Sequence, residues 1–241
     1  GSLKAEAPGG SAANTISALA RMGFRTGFVG KVGTDAESET LLSGMTEIDL
    51  GGVIHGGRSG RCLSVLDSQR DRLMMLEPNT NDTLSIDEID WHFAANTRYL
   101  HLTSFVGERP LLAQKALADR VSAQVRLTFD PGEVYVRRGL DILLALKSSG
   151  RYNMVLPVED LSYFGRNACM LDVIGFGALN LDLIYEVDSL NHISGEEGEL
   201  RPGRELATDS ESFVRIQNRV EKRGSLKAEA PGGSAANTIS A

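Results

Sequence analysis

Only two cysteines, Cys62 and Cys169, occur among 241 residues, which excludes a disulfide framework and fits a reduced compartment. Both are expected to be unreactive thiols, because free cysteine mostly serves as a small buried apolar residue. Histidine is also scarce: His55, His92, His101 and His192 stand far apart without paired cysteine or carboxylate spacing, so no metal site is expected. Basic side chains are in deficit, 25 against 32 acidic, and the net charge of −7 argues against nucleic acid or an anionic membrane as the main partner. It leaves room for a local phosphate pocket. The sequence has no run of the ~18 apolar residues that a membrane span needs and no basic-then-apolar leader, so the expectation is a cytoplasmic protein with no membrane partner. Trp91, the one tryptophan, and the phenylalanines are assigned to core packing rather than base stacking.

What is present is ordinary in bulk and unusual in order. Apolar residues at 41% and charged residues at 24% suit a globular chain long enough to bury a core. Residues Gly1–Ala18 recur without a substitution as Gly224–Ala241. A single undiverged copy at each end is not a repeat architecture. It implies an altered chain order, as from translation of a closed or tandem stretch of coding DNA. The first copy is continuous with a complete helix and is expected to occupy the fold, with residues 224–241 frayed.

Strand and helix signals alternate. Apolar spacing predicts a helix over Ser11–Met22 stopped by Gly23, a strand over Thr26–Gly30 and a helix over Thr34–Met45. Arg61–Leu66 and Arg72–Glu77 read as a hairpin joined by a polar turn. Ser85–Ala95 reads as a Ser-capped helix, Tyr99–Thr103 as strand, Pro110–Val121 as helix, Val125–Phe129 as strand and Glu133–Leu146 as helix. Weaker strand and helix signals fall at Tyr152–Leu156 and Glu159–Phe164. Met170–Gly177 then reads like the opening strand of a protein. Leu181–Val187 is a strand, Ser189–Glu205 a loop and Ser210–Lys222 a helix. This alternation implies an α/β fold with a doubly wound, mostly parallel sheet covered on both faces.

The residues Gly9-Gly10-Ser11-Ala12-Ala13-Asn14, then Gly23, then Gly30-Lys31-Val32-Gly33-Thr34-Asp35 resemble the first signature of the ribokinase-like, or PfkB, family of carbohydrate kinases. Ile16 departs from it, standing where the signature favours a small residue. Val173 to Asp182 is similar to the family's first strand, and Leu100–Phe105 and Thr128–Pro131 to two middle strands. The family order is restored by reading Met170–Arg223 first and Gly1 to about Asn167 second, a circular permutation. Residues 1–168 would then form the central part of the domain with lid strands near 61–77, and residues 169–223 the displaced first strand with its lid and helix segment. The family's Gly-Ala-Gly-Asp signature, which carries the catalytic aspartate and phosphate-holding amides, occurs nowhere in these residues.

The resemblance implies ATP-dependent phosphorylation of a sugar or nucleoside hydroxyl, with Mg²⁺, and possible homodimers through paired lids. It assigns sugar contacts to Asn180, Asp182, Gly9, Gly10 and Asn14, with Thr103 a weaker candidate, and no catalytic residue. The residue types suit the task. A carboxylate accepts from two vicinal hydroxyls, glycine admits a ring close to the backbone, and a carboxamide both donates and accepts. Singly, Asp182 could be a turn residue and Asn14 a helix cap. The alternative expectation is a non-catalytic or misassembled fragment that at most binds a small polyol. Gly175-Phe176-Gly177 also imitates a dinucleotide fingerprint, but its third position is Asn180 and strand follows where a helix is needed.

Overall fold

The computed structural model describes residues 6–69, 71–132, 134–135, 170–190, 193, 203 and 205–223. All but residues 134–135 of the helix expected over Glu133–Leu146, the weaker elements at 152–164, Cys169, most of the 189–205 loop and the terminal duplicate lie outside them.

The elements are β1 (Glu6–Gly9), α1 (Ser11–Arg21), β2 (Thr26–Val32), α2 (Ala36–Ser43), β3 (Ile48–His55), β4 (Gly60–Leu66), β5 (Arg72–Glu77), α3 (Trp91–Ala95), β6 (Thr97–Thr103), α4 (Glu108–Arg120), β7 (Arg126–Asp130), β8 (Leu171–Phe176), β9 (Asn180–Glu186), β10 (Glu205–Ala207) and α5 (Ser210–Arg223). Two five-stranded sheets result. One is parallel throughout, in the order β3-β2-β8-β6-β7. The other runs β1-β9-β4-β5-β10 and mixes both senses.

The parallel sheet is covered on both sides, and its strands show it residue by residue. Phe28, Val32, Tyr99 and Val173 join the α1 side with Ala12, Ala13 and Ile16, whereas Val29, Leu100, Leu102, Ile174 and Phe176 join the α4 side with Leu111 and Leu117. Successive side chains of a strand point to opposite faces, so a strand in this position must be apolar on both, and all seven residues of β2 are buried.

The late segment supplies the middle of this sheet. β8 pairs with β2 on one side and β6 on the other, both in parallel. Its start is anchored by Asp172, 3% exposed, whose carboxylate accepts from the Arg25 backbone N–H (3.0 Å) and guanidinium (3.2 Å). Asp172→Ala takes the acceptor from the Arg25 backbone N–H and removes the ion pair at the base of β8. The expected loss is about 2 kcal/mol, read as a lower urea midpoint.

Three features depart from the sequence expectations. The helix expected over Ser85–Ala95 is broken: one tight turn at Ile86–Glu88, then extended Ile89, then the short α3. Glu88 folds back onto the Ser85 N–H (2.9 Å) in a capping box that starts the first turn, and pairs with Lys31 (2.5 Å). The Asp90 carboxylate caps the His92 and Phe93 N–H groups and starts the second. β3 carried no strand signal because Gly51-Gly52 interrupts it, and those glycines admit the Phe93 ring where a Cβ would stand. The hairpin expected at 61–77 belongs to a larger sheet, which β1, β9 and β10 complete. Ile16, the departure from the family signature, is fully buried against Gly175 of β8, where any Cβ would overlap its side chain.

Candidate functional site

In doubly wound sheets, ligands sit beyond the carboxyl ends of the strands, where the winding reverses direction. Here β2 and β3 lie on one side of β8 and β6 and β7 on the other, so the direction of winding reverses at β8. The segment after β8, residues 177–179, turns directly into β9 at that point.

β9 sets Asn180 and Asp182 on one face, two residues apart. Asn180 is flanked by glycine on both sides, pairing with Gly9 of β1 and Gly60 of β4, and Asp182 pairs with Ala7 and Cys62. Both glycines are required by contact. A Cβ on Gly9 would fall on the Asp182 carboxylate, and one on Gly60 on the Asn180 and Asn81 carboxamides. Gly10, at φ 118°, adopts a backbone that L side chains rarely take, and a Cβ there would overlap the Ala178 carbonyl. The glycine pair thus presses β1 and the start of α1 against residues 178–182.

Gly10 is also the N-cap of α1 and supplies no side-chain cap. Asn14, in the first turns of that helix, is not a cap: its backbone N–H bonds the Gly10 carbonyl at 3.0 Å, while its side-chain Nδ2 is buried with no hydrogen-bond partner among the described residues. A buried donor left open is costly unless something fills it. Thr103, at the end of β6, reaches this corner through Gly177, whose Cα packs against the Thr103 hydroxyl and the Ala12 methyl.

Asp182 is only 9% exposed. Burial is the main cause that pushes its carboxyl up to about 7; the Cys62 thiol opposes the rise by donating to it, and the Glu205 charge adds to it. Cys62 is itself held well above its usual range, by burial first and the Asp182 charge second, so it remains a thiol donor. Unreactive describes it well, since the thiolate is the nucleophile.

Three groups at the site gave no sequence signal of their own: Cys62, Gln114 and Asn81. Gln114, 1% exposed, donates from Nε2 to the carbonyls of Thr103 (2.8 Å) and Phe176 (3.1 Å) and accepts from the Tyr135 hydroxyl (3.0 Å). It clamps the ends of β6 and β8 together. Asn81, in the tight turn Asn79–Thr83, bonds residues 179 and 180. The second part of the family signature, Gly30–Asp35, braces the approach to β4. Asp35 accepts from the Ser59 N–H (2.7 Å) and hydroxyl (2.6 Å), and Ser59 Oγ accepts from the Gly33 N–H (3.0 Å). Burial pushes the Asp35 carboxyl up, but the Ser59 bonds together with those from the Asp35 and Ser38 backbone hold it below its usual range.

A model of the pfkB family of carbohydrate kinases matches residues 5–133. The chain belongs to this family. The match includes Gly9, Gly10, Asn14 and Thr103 and stops before Asn180 and Asp182. An uncharacterized sugar kinase from Archaeoglobus fulgidus is 36% identical over 128 residues, 51% of this chain and 50% of that protein. An ATP-dependent ribose-1-phosphate kinase from Halopiger xanaduensis is 30% identical over 128 residues, 52% of this chain and 42% of that one. Among solved structures, a PfkB protein from Polaromonas sp. JS666 aligns at 22% identity with a TM-score of 0.49, over 53% of this chain and 47% of its own. This pfkB-family chain spans about half the length of the curated relatives it matches. None of its described helices is long and apolar enough to cross a membrane.

Proposed function

We propose that this chain carries the sugar-binding half of a phosphotransferase site, whose parent reaction is ATP-dependent phosphorylation of a sugar or nucleoside hydroxyl. The observation that carries the reading is the Asp182 carboxylate seated on the bare Cα of Gly9 at the switch point of the sheet. The open Nδ2 of Asn14, on the helix that Gly10 begins, supports it.

In this reading Asp182 accepts from two neighbouring hydroxyls, and Asn14 and Asn180 donate to ring or hydroxyl oxygens. The glycine pair lets the ring lie close to the backbone. The β1-β9-β4-β5-β10 sheet closes over it and excludes water, which strengthens each of these contacts. Holding a hydroxyl in one orientation is the part of phosphoryl transfer that positioning supplies.

This reading assigns ATP and Mg²⁺, which the family implies, to no residue of this chain. The sequence contains no Gly-Ala-Gly-Asp segment, and the described residues include no group of three His, Cys, Asp or Glu side chains able to hold a metal ion. Removal of the hydroxyl proton and stabilisation of phosphate charge fall to no residue of this site. A cytoplasmic setting belongs to the same proposal, supported by the scarcity of cysteine.

Titration calorimetry over a panel of sugars and nucleosides, with a coupled assay for ATP turnover, tests the proposal. Binding of a sugar or nucleoside without turnover is expected. Turnover above background would make the chain a complete kinase, and heat from no member of the panel would end the sugar reading.

A further inference from the structure

We propose that Asn81 is a positioning residue: it fixes which way the Asn180 carboxamide faces and ties that orientation to the base of the lid. The inference rests on the sugar-site reading above.

Asn81 is 1% exposed. Its Nδ2 donates to the Leu179 carbonyl (2.8 Å) and to Asn180 Oδ1 (3.0 Å), and its Oδ1 accepts from the Leu179 N–H (3.1 Å). One residue's backbone N–H and C=O therefore grip both ends of the Asn81 amide. Flipping it would set carbonyl against carbonyl and N–H against N–H, so a single orientation is allowed. Because Asn81 must present a donor to Asn180, Asn180 must answer with its oxygen. What Asn180 retains for a ligand is its Nδ2 donor. Gly60 makes the pairing possible, since a Cβ there would overlap both carboxamides.

The turn that carries Asn81 is fastened elsewhere as well. Asn79, in the left-handed region at φ 45°, donates from Nδ2 to the Ser59 carbonyl (3.0 Å). The Thr80 N–H bonds the Arg58 carbonyl (3.0 Å) and its hydroxyl the Gly56 carbonyl. Asp82 accepts from the N–H of Gly107, ahead of α4 (2.7 Å). Four consecutive side chains thus join the approach to β4, the turn into β9 and the start of α4. A shift of the lid base acts on Asn81, and through it on Asn180. The site then presents two amide donors, Asn180 and Asn14, opposite one carboxylate, a complement for a polyhydroxylated ligand with an acceptor oxygen between its hydroxyls.

Asn81→Asp keeps the shape and the acceptor for Leu179 but replaces the donor with an oxygen facing two oxygens. With the full chain labelled in asparagine nitrogen, the Asn180 side-chain amide pair should move to averaged, solvent-like shifts in Asn81→Asp while backbone dispersion persists. An unmoved pair overturns the proposal whether or not any sugar binds. In the unsubstituted chain, a nuclear Overhauser contact between the Asn81 NH₂ and Gly60 Hα is expected; its absence overturns the proposal even if the variant does not fold. With D-ribose and D-fructose as probes, Asn81→Asp should weaken binding about 10-fold. It should add nothing further on an Asn180→Ala background; independent, additive losses would make Asn81 merely structural. If the unsubstituted chain binds neither sugar, the sugar reading fails while the resonance arms still decide the role of Asn81.

Discussion

Gly10→Ala is expected to lower the melting temperature by roughly 6–12 °C, the equivalent of about 3 kcal/mol for a chain of this size. Two costs combine. At φ 118° an alanine is strained by about 1–3 kcal/mol, and its Cβ would also overlap the Ala178 carbonyl. That neighbour is backbone, so relief requires residues 178–180 to move away from α1, which disperses the site as well. Gly23→Ala is the control. Gly23 has φ 88° but nothing within 4 Å of its Cβ position, so it carries strain alone, about 1 kcal/mol. Calorimetric scans of the two variants separate conformation from close approach. Equal losses would mean that β1 and α1 do not pack on the 178–182 segment in solution.

Asp182→Asn is expected to do two opposite things: weaken sugar binding about 100-fold and stabilise the free chain at alkaline pH. The first follows from replacing charge-assisted bonds by neutral ones at two hydroxyls. The second follows from linkage. The folded carboxyl titrates at about 7, raised from 3.8 by burial above all. Between those values the folded chain keeps a proton that the unfolded chain has released, so the Asp182 contribution to stability falls as pH rises through this window and is constant above it. An amide has no such cost. The stability difference between variant and parent should therefore be small near pH 4, grow to a few kcal/mol by pH 8 and level off there, in denaturant titrations at each pH. For the parent chain, affinity should tighten from pH 6 to pH 8 as the carboxylate ionises, and Asp182→Asn should abolish that dependence. A variant whose stability tracks the parent at every pH would place Asp182 in water rather than against Gly9 and Cys62.

Most elements were readable because their signals are local. Ser11–Arg21 has helical apolar spacing ahead of Gly23, Glu108–Arg120 carries an early proline, and Arg72–Glu77 alternates as a half-buried strand should. β3 was not readable. Its Gly51-Gly52 pair lowers strand propensity, and what makes it a strand is pairing with β2 and the Phe93 ring above it. The site divides in the same way. Gly9, Gly10, Asn14, Asn180 and Asp182 could be named from motif and resemblance, since glycine pairs and isolated carboxamides are visible as letters. Asn81, Gln114 and Cys62 could not, because nothing in their own neighbourhoods distinguishes them from a turn residue, a helix residue and a small apolar residue.

The sequence alone determined the α/β alternation, the strand expected over Met170–Gly177 and the glycine and polar residues proposed here as sugar contacts. Periodicity and residue type are carried by the chain itself, whatever order its segments take. Only the tertiary structure decided that β8 enters the centre of the parallel sheet while β9, four residues later, leaves it for the other. It alone brought the Asn81 carboxamide onto residues 179 and 180 and buried the Asp182 carboxyl, which raises its affinity for a proton. Those properties arise from what surrounds a group: a carboxyl changes its affinity for a proton only when other parts of the chain remove its water.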